Sequence, residues 1–338
     1  SKRNLYKMTM PGRFFTQKFL RHAVEEKCDY AIIEVTSEGA KQFRHKFLEL
    51  DALIVTNISP EHIESHGSYE KYLTAKLKIA KALGKSGKRN RVIVVNSDDK
   101  ESSKFLTVKI PRKVTYSLND AHPFELTERG SRITFEGEPV KLNLPGEFNI
   151  YNALAASVFA RSQKINTEII KKALEKFSGV RGRMEEVNEG QNFTAIVDYA
   201  HTKDSLEKAY GAYPNKKKIC VLGSTGGGRD KWKRKEMGAV ADTHCEQIFL
   251  TNEDPYNEDP TEIVSNIAEG IEKTETKTIM DRRKAIATAL RSARGGDIVF
   301  ITGKGTDPYI MEANGKKTPW DDATVVREEL QKLLASKQ

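Results

Sequence analysis

Seven short apolar runs, each closed by polar or glycine-rich residues, constrain the fold of this chain more than any other feature. They read "YAIIEV" (30–35), "ALIVTNI" (52–58), "RVIVVNSDD" (91–99), "TAIVDYA" (194–200), "KKICVLG" (217–223), "QIFLTNE" (247–253) and "DIVFITG" (297–303). Stretches with apolar residues at helical spacing separate them, such as "TQKFLRHAVEEK" (16–27) and "YEKYLTAKLKIAKAL" (69–83). Strands alternating with helices predict parallel sheets covered by helices on their faces. Residues 105–145 break the pattern: "KVTYSL" and "RITFEG" alternate with turn residues and predict a small antiparallel lobe. "NIYNALAASVFARSQ" (149–163) then reads as an alanine-rich helix. Glycines and arginines in "SGVRGRME" (178–185) mark a domain boundary, giving domains over residues 1–182 and 183–338.

Composition supports two ordinary cores. A chain of 338 residues with 38% hydrophobic content, 14 Phe and 11 Tyr exceeds one typical core. No apolar stretch approaches the roughly 20 residues that a membrane span needs, and no signal-peptide pattern opens the chain. Cys28, Cys220 and Cys245 lack metal-like spacing, which predicts reduced thiols in a cytoplasmic protein. The net charge of +9 favours anionic partners, but the lysines are spread along the chain without aromatic interleaving. A phosphorylated small substrate fits this pattern better than nucleic acid.

In an open parallel sheet, ligands bind beyond the carboxyl ends of the strands, so the polar residues there are the candidate site. They include Glu34, Thr36 and Ser37 after the first run, then Thr56 and Asn57, with His62 and His66 in the following loop. The second half contributes Asp198, Tyr199 and His201, then "GSTGGGRDKWKR" (223–234), "TNEDPYNEDP" (251–260) and "GKGTDPY" (303–309). Each admits a plain reading beside a functional one: a surfacing carboxylate, solvated histidines, a mobile basic loop.

Taken together and in order, "EVTSEG", "TNISPEHIESHG", "YLTAK", "NIYNALAA", "GRMEEV", "VDYAHTKDSLEKA", "GSTGGGRDKWKR", "TNEDPYNEDP" and "GKGTDPY" resemble the Mur ligases, with the strongest likeness to UDP-N-acetylmuramoyl-tripeptide synthetases. The resemblance covers nearly the whole chain. It implies an α/β architecture: a P-loop-type central ATPase domain, mostly parallel sheet with a small antiparallel lobe, and a C-terminal Rossmann-like domain. It also implies ATP and Mg²⁺ as cofactors, and UDP-MurNAc-dipeptide and an amino acid as substrates, joined through an acyl phosphate by a cytoplasmic monomer. The family's G-x-x-x-x-G-K-[ST] phosphate loop is not matched by "LGKSGKRN" (83–90), which reads as a surface turn, nor by "GSTGGGRDK". The expectation is a fragment without the UDP-binding domain and the phosphate loop, with little turnover alone; a naturally degenerate homologue is the alternative.

By the same resemblance, Glu34 and His62 are metal ligands, and Lys76 is a third if carbamylated. Glu61 stands where the family has an aspartate beside His62. Lys76, His62 and Arg183 are the implied catalytic residues. Asn57, Asn149, Asn152, Asp198, Tyr199 and His201 would hold the nucleotide, with Asn149 also readable as a helix N-cap. Thr36, Ser37, Arg229, Asp230, Lys231, Glu253, Asp254, Tyr256, Gly303 and Asp307 would meet the peptide and the amino acid, and Lys233 belongs to the same loop. Diaminopimelate-adding relatives carry "DNPR" where this chain has "EDPY" (253–256). A tyrosine offers no bidentate cationic fork, so the acidic residues here point to lysine or another diamino acid. Folylpolyglutamate or cyanophycin synthetases, and a non-catalytic nucleotide-sugar-binding scaffold, are the competing readings.

Overall fold

In a computed structural model, residues 10–60 and 63–336 are described. Two compact units emerge: the described residues of 1–122 with 151–170, and those of 123–150 with 171–338. The first begins with α1 (Arg13–Glu25) and the short α2 (Ser37–Lys41). Next come β1 (Ala52–Val55), α3 (Ile63–His66), α4 (Tyr69–Lys85), β2 (Val92–Asn96), α5 (Ser102–Leu106) and β3 (Arg112–Tyr116). The three strands form a parallel sheet in the order β1-β2-β3. Ser68 caps α4 by accepting from the Lys71 N–H. Tyr72, Leu73, Ala80 and Leu83 of α4 pack on Val55, Ile93 and Val95 of the sheet.

Two expectations fail here. Residues 30–35 form no strand, with Tyr30 57% and Ile32 89% exposed. A strand needs a hydrogen-bonded neighbour, and among the described residues β1 pairs only with β2. "KVTYSL" belongs to no antiparallel lobe: β3 pairs parallel with β2, from Val92↔Arg112 to Asn96↔Tyr116. Its alternation reflects a sheet edge, where one side of the strand meets solvent.

The lobe itself is β4 (Glu125–Thr127), β5 (Gly130–Phe135) and β6 (Glu138–Leu142), an antiparallel sheet in that order. After α6 (Glu147–Ser162) and α7 (Thr167–Lys176) the chain builds a second βα series. Its members are β7 (Glu185–Val187), β8 (Thr194–Val197), α8 (Lys203–Gly211), β9 (Lys218–Leu222), α9 (Lys233–His244) and β10 (Gln247–Leu250). Then follow α10 (Pro260–Ala268), β11 (Glu275–Thr278), α11 (Arg282–Ser292), β12 (Ile298–Ile301), the hairpin β13 (Tyr309–Met311) and β14 (Lys317–Pro319), and α12 (Asp322–Ala335).

The six-stranded sheet runs β11-β10-β9-β12-β8-β7, parallel except for β7. Its central strands are apolar on both faces, as a sheet with helices on each side requires. Ile196, Cys220, Leu222, Ile248, Leu250 and Phe300 face Leu206, Met237, Val240 and Ile267 of α8–α10. Their neighbours Ala195, Val197, Val221, Phe249 and Ile301 face Ala285, Ile286, Ala289, Val326 and Leu330 of α11 and α12. The polar β11 ends one side, which suits an edge strand.

Cys220 and Cys245 form a disulfide with a Cα–Cα separation of 6.2 Å, against the expectation of reduced thiols. Spacing alone hid the pair: the β9–α9 fold-back returns the end of α9 to the middle of β9, and both cysteines sit in the same apolar cluster. Closing a loop with a sequence separation of 25 removes unfolded-state entropy equivalent to about 3 kcal/mol. Adding reductant, or the C245S substitution, is expected to lower the urea midpoint by a corresponding amount. Reductant should then have no further effect on C245S, which paired urea titrations would check.

Candidate active site

The second unit presents its candidate residues at the carboxyl ends of four strands. β9, β10 and β11 progress to one side of the sheet, whereas β12 inserts on the other side of β9. The loops after β9 and β12 therefore diverge and leave a crevice, the usual ligand position in such sheets. Gly223 and Gly303 form its backbone walls, and Glu253, following β10, reaches into it. A Cβ on Gly303 would lie 2.2 Å from Glu253 Oε2, and Gly303 has a φ of +106° that L side chains rarely adopt. Thr225 Oγ1 donates to Glu253 Oε1 at 2.6 Å. Glu253 is 2% exposed, and its Oε2 accepts no hydrogen bond.

Two buried ion pairs fix this crevice. Lys304, between the glycines of "GKG", is fully buried and donates to Asp254 Oδ1 at 2.8 Å. The same oxygen accepts from the Met311 N–H at 2.7 Å, and Asp307 Oδ2 lies 3.8 Å from Lys304 Nζ. Asp254 thus joins the β10, β12 and β13 loops. Arg282, at the start of α11, donates from Nε and Nη2 to the two carboxylate oxygens of Asp322, at 2.9 and 2.7 Å. Its Nη2 also donates to the Thr302 carbonyl at 2.8 Å, one residue before Gly303. Burial opposes the guanidinium charge, but Asp322, with Glu253 and Asp254 farther off, raises its pKa above the ordinary value. Sequence reasoning missed Lys304, Arg282, Asp322 and Thr225. Lys304 and Thr225 lie inside the motifs "GKGTDPY" and "GSTGGGRDKWKR" and so carried a signal; the partners Arg282 and Asp322 lie 40 residues apart.

A second group lies beside β8. Arg183 stacks over the Tyr199 ring at 4.2 Å, and the Tyr199 and His201 rings meet edge to face at 4.8 Å. His201 Nδ1 is 2.7 Å from the Tyr199 carbonyl, and Lys233 Nζ donates to the His201 carbonyl. Asp198 accepts from the Met184 and Ala200 N–H groups, yet its pKa is raised, because burial outweighs these bonds and the Arg183 charge. Burial also raises the Tyr199 phenol, keeping it neutral. An aromatic face with a guanidinium over it can hold a flat, electron-rich ring.

Arg229 and Lys231 are exposed on the glycine-rich loop, whereas Asp230 is buried. Tyr256 occupies the left-handed region with a φ of +53°, its N–H bonded to the Met311 carbonyl. Burial and Asp254 raise its phenol pKa, with Arg229 and Lys304 opposing.

Of the remaining described candidates, all but Asn149 lie in the first unit. Glu34 is exposed, and Thr36 caps α2 by accepting from the Gly39 N–H at 3.0 Å. Ser37 is buried, its Oγ 3.2 Å from His66 Nε2, so His66 is a packed residue rather than a solvated one. Asn57 is exposed two residues beyond β1. Lys76 is half-buried with Nζ 5.5 Å from the centre of the Tyr72 ring. Asn149 stands in the first turn of α6 and donates to the Pro145 carbonyl, which makes it a turn-binding residue and not the N-cap; Asn152 is exposed. His62 lies outside the described residues. Among the described residues no three His, Cys, Asp or Glu side chains form a group able to hold a metal ion. Glu34 is the one hard oxygen donor proposed here, and an ammonium at Lys76 has no lone pair to offer. Carbamylation of Lys76 would replace the ammonium with a second oxygen donor in addition to Glu34.

Removing the Asp322 carboxylate would leave the Arg282 guanidinium buried without its partner, a loss on the order of 3–5 kcal/mol. D322A is therefore expected to unfold at much lower urea than D322N, which retains one acceptor, with circular dichroism as the readout.

The sequence profile of the Mur ligase middle domain matches residues 4–160, and that of the Mur ligase glutamate ligase domain matches residues 182–305. UDP-N-acetylmuramoyl-L-alanyl-D-glutamate–2,6-diaminopimelate ligase of Bacillus velezensis is 34% identical over 94% of this chain and 68% of its own length. UDP-N-acetylmuramyl-tripeptide synthetase of Roseiflexus sp. is also 34% identical, over 94% of this chain and 67% of its length. A solved UDP-N-acetylmuramoyl-L-alanyl-D-glutamate–2,6-diaminopimelate ligase superposes with a TM-score of 0.62 at 27% identity, covering 98% of this chain and 70% of that one. MurF ligase of Thermotoga maritima, solved in complex with ADP, shares the fold with a TM-score of 0.63 at 17% identity, over 92% of this chain and 70% of that one. With these relatives and with both domain profiles matched in order, the chain belongs to the Mur ligase family.

Proposed function

We propose that this protein is an ATP-dependent, ADP-forming ligase that adds an amino acid to UDP-MurNAc-dipeptide in peptidoglycan synthesis. A diamino acid is the favoured substrate, with lysine ahead of diaminopimelate. The observation that carries this reading is Glu253: a buried carboxylate with one oxygen unpaired, set between two backbone walls at the sheet's switch point. A buried carboxylate oxygen calls for a cationic or N–H donor, and the ammonium of an incoming diamino acid supplies one. Tyr256, in place of a cationic fork, offers a distal carboxylate one neutral phenol O–H and no charge.

In this reading the γ-phosphoryl group of ATP passes to the substrate carboxylate, releasing ADP. The amine nitrogen then attacks the acyl carbon, the C–O bond to phosphate breaks, and the amine loses a proton. Arg183 and Tyr199, with Asp198, His201, Asn57, Asn149 and Asn152, are assigned to the nucleotide. Arg183 additionally steadies phosphate charge. Arg229, Asp230, Lys231, Glu253, Gly303 and Asp307 are assigned to the amino acid, Thr36 and Ser37 to the peptide. Asp254, committed to Lys304 and the Met311 N–H, is assigned to shaping the crevice around them. Mg²⁺, with Glu34, His62 and a carbamylated Lys76 as its assigned ligands, would neutralise phosphate oxygens. The domain division at residue 182, the cytoplasmic location and the monomeric state belong to the same proposal.

The test is phosphate release by the natural gene product with ATP, UDP-MurNAc-dipeptide and a panel of amino acids. Release is expected with lysine and weaker release with diaminopimelate. No release with lysine, ornithine or diaminopimelate would refute the ligase reading. E253Q keeps an acceptor for Thr225 but loses the charge. It is expected to raise the amino-acid KM by about 10- to 100-fold, the equivalent of one charge-assisted hydrogen bond.

A further inference from the structure

Glu258 lies two residues beyond Tyr256 and takes part in none of the chemistry above, yet it gathers an unusual set of contacts. Its Oε2 accepts from Arg234 Nη2 at 2.8 Å and lies 3.5 Å from Lys231 Nζ. Its Oε1 accepts from the Gly228 N–H at 3.2 Å. Arg234, in the first turn of α9, is wholly buried and donates its other arm to Asn266 Oδ1 of α10 at 3.1 Å. A single carboxylate therefore connects a buried guanidinium anchored on two helices to the backbone of the glycine-rich turn.

That turn lies directly on the neighbouring loop. The Gly226 N–H donates to the Asp254 carbonyl at 2.8 Å. A Cβ on Gly226 would meet the Pro255 carbonyl at 2.5 Å, and one on Gly227 would meet the Tyr256 ring at 2.7 Å. Gly227 also has a φ of +68°. The glycines permit the close approach but do not enforce it, since glycine gains no packing and has the most backbone freedom to lose. The Gly226–Asp254 backbone bond holds one end of the turn, and Glu258 is the side chain that grips the other.

We infer that Glu258 is a positioning residue, a clasp that holds the Gly226–Gly228 turn against the Asp254–Tyr256 loop and so sets where Arg229 and Lys231 present their charges. Its kinetic consequence rests on the reading of this loop as facing the incoming amino acid; the clasp itself does not. Burial works against the Glu258 carboxylate, but Arg234, the Gly228 N–H and Lys231 outweigh it and lower its pKa, so the group is charged at neutral pH.

Hydrogen exchange of the natural gene product, resolved to peptides, tests the clasp, and steady-state kinetics tests its consequence. In E258Q, exchange across residues 226–231 is expected to accelerate at least tenfold, with β9 and β10 unchanged. The amino-acid KM should rise about tenfold, while the ATP KM and kcat stay within about twofold. If E258Q melts early, R234K makes the same comparison, because it keeps the buried charge and gives up the two-armed contact. Unchanged exchange at 226–231 in both variants overturns the clasp. Accelerated exchange with an unchanged amino-acid KM supports the clasp and overturns the placement of this loop at the amino acid.

Discussion

A guanidinium with almost no access to water organises the second unit. Arg282 is tolerable in the interior only because Asp322 meets it with both oxygens and the Thr302 carbonyl takes a further N–H. Buried charge pairs of this kind add little net stability, because desolvation offsets much of their attraction. Their value lies in geometry. Arg282 fixes the residue before Gly303, Lys304 fixes Asp254 beyond β10, and between them two loops from different strands are set at one separation. The unpaired oxygen of Glu253 occupies that gap. An apolar substitute at any of these positions would save desolvation and lose the register between the loops.

The sheet beneath makes such precision possible. Its central strands bury every residue, and alternate side chains enter two separate apolar clusters. A one-residue slip of a strand would exchange the two sets and misfit both layers of helices. The loops therefore start from fixed points, and what varies among them is chemistry rather than position. This is the division of labour expected of open α/β sheets, with rigid strands below and polar, glycine-bearing connections above.

Much of this was legible in the sequence. Six of the seven apolar runs form strands, because each meets a neighbour whose pattern matches its own. The run at 30–35 had the composition of a strand but no ladder, and composition cannot supply a partner. "KVTYSL" showed the converse: its alternation was real, but only the tertiary fold reveals that β2 lies alongside it in parallel. At the site, glycines and acidic residues announced themselves through motifs such as "TNEDPY" and "GKGTDPY". The residues that hold those motifs in place did not. Arg282 and Asp322 are ordinary charged residues in sequence until the fold brings them together, and Arg234 and Glu258, although inside the glycine-rich and acidic motifs, gave no sign there of their pairing. The Cys220–Cys245 bond escaped for the same reason.

Among the described residues β1 has a strand neighbour on one side alone, which has a practical meaning for handling the protein. Among the described residues, Phe14, Val24, Ile32 and Phe47 are each more than two-thirds exposed, and Ile54 on β1 itself is 37% exposed. Open strand edges beside exposed apolar side chains recruit other chains, since backbone groups seek partners and apolar surface seeks cover. How concentrated a solution the protein tolerates before self-association is thus expected to depend on this edge and the apolar side chains exposed in the same unit.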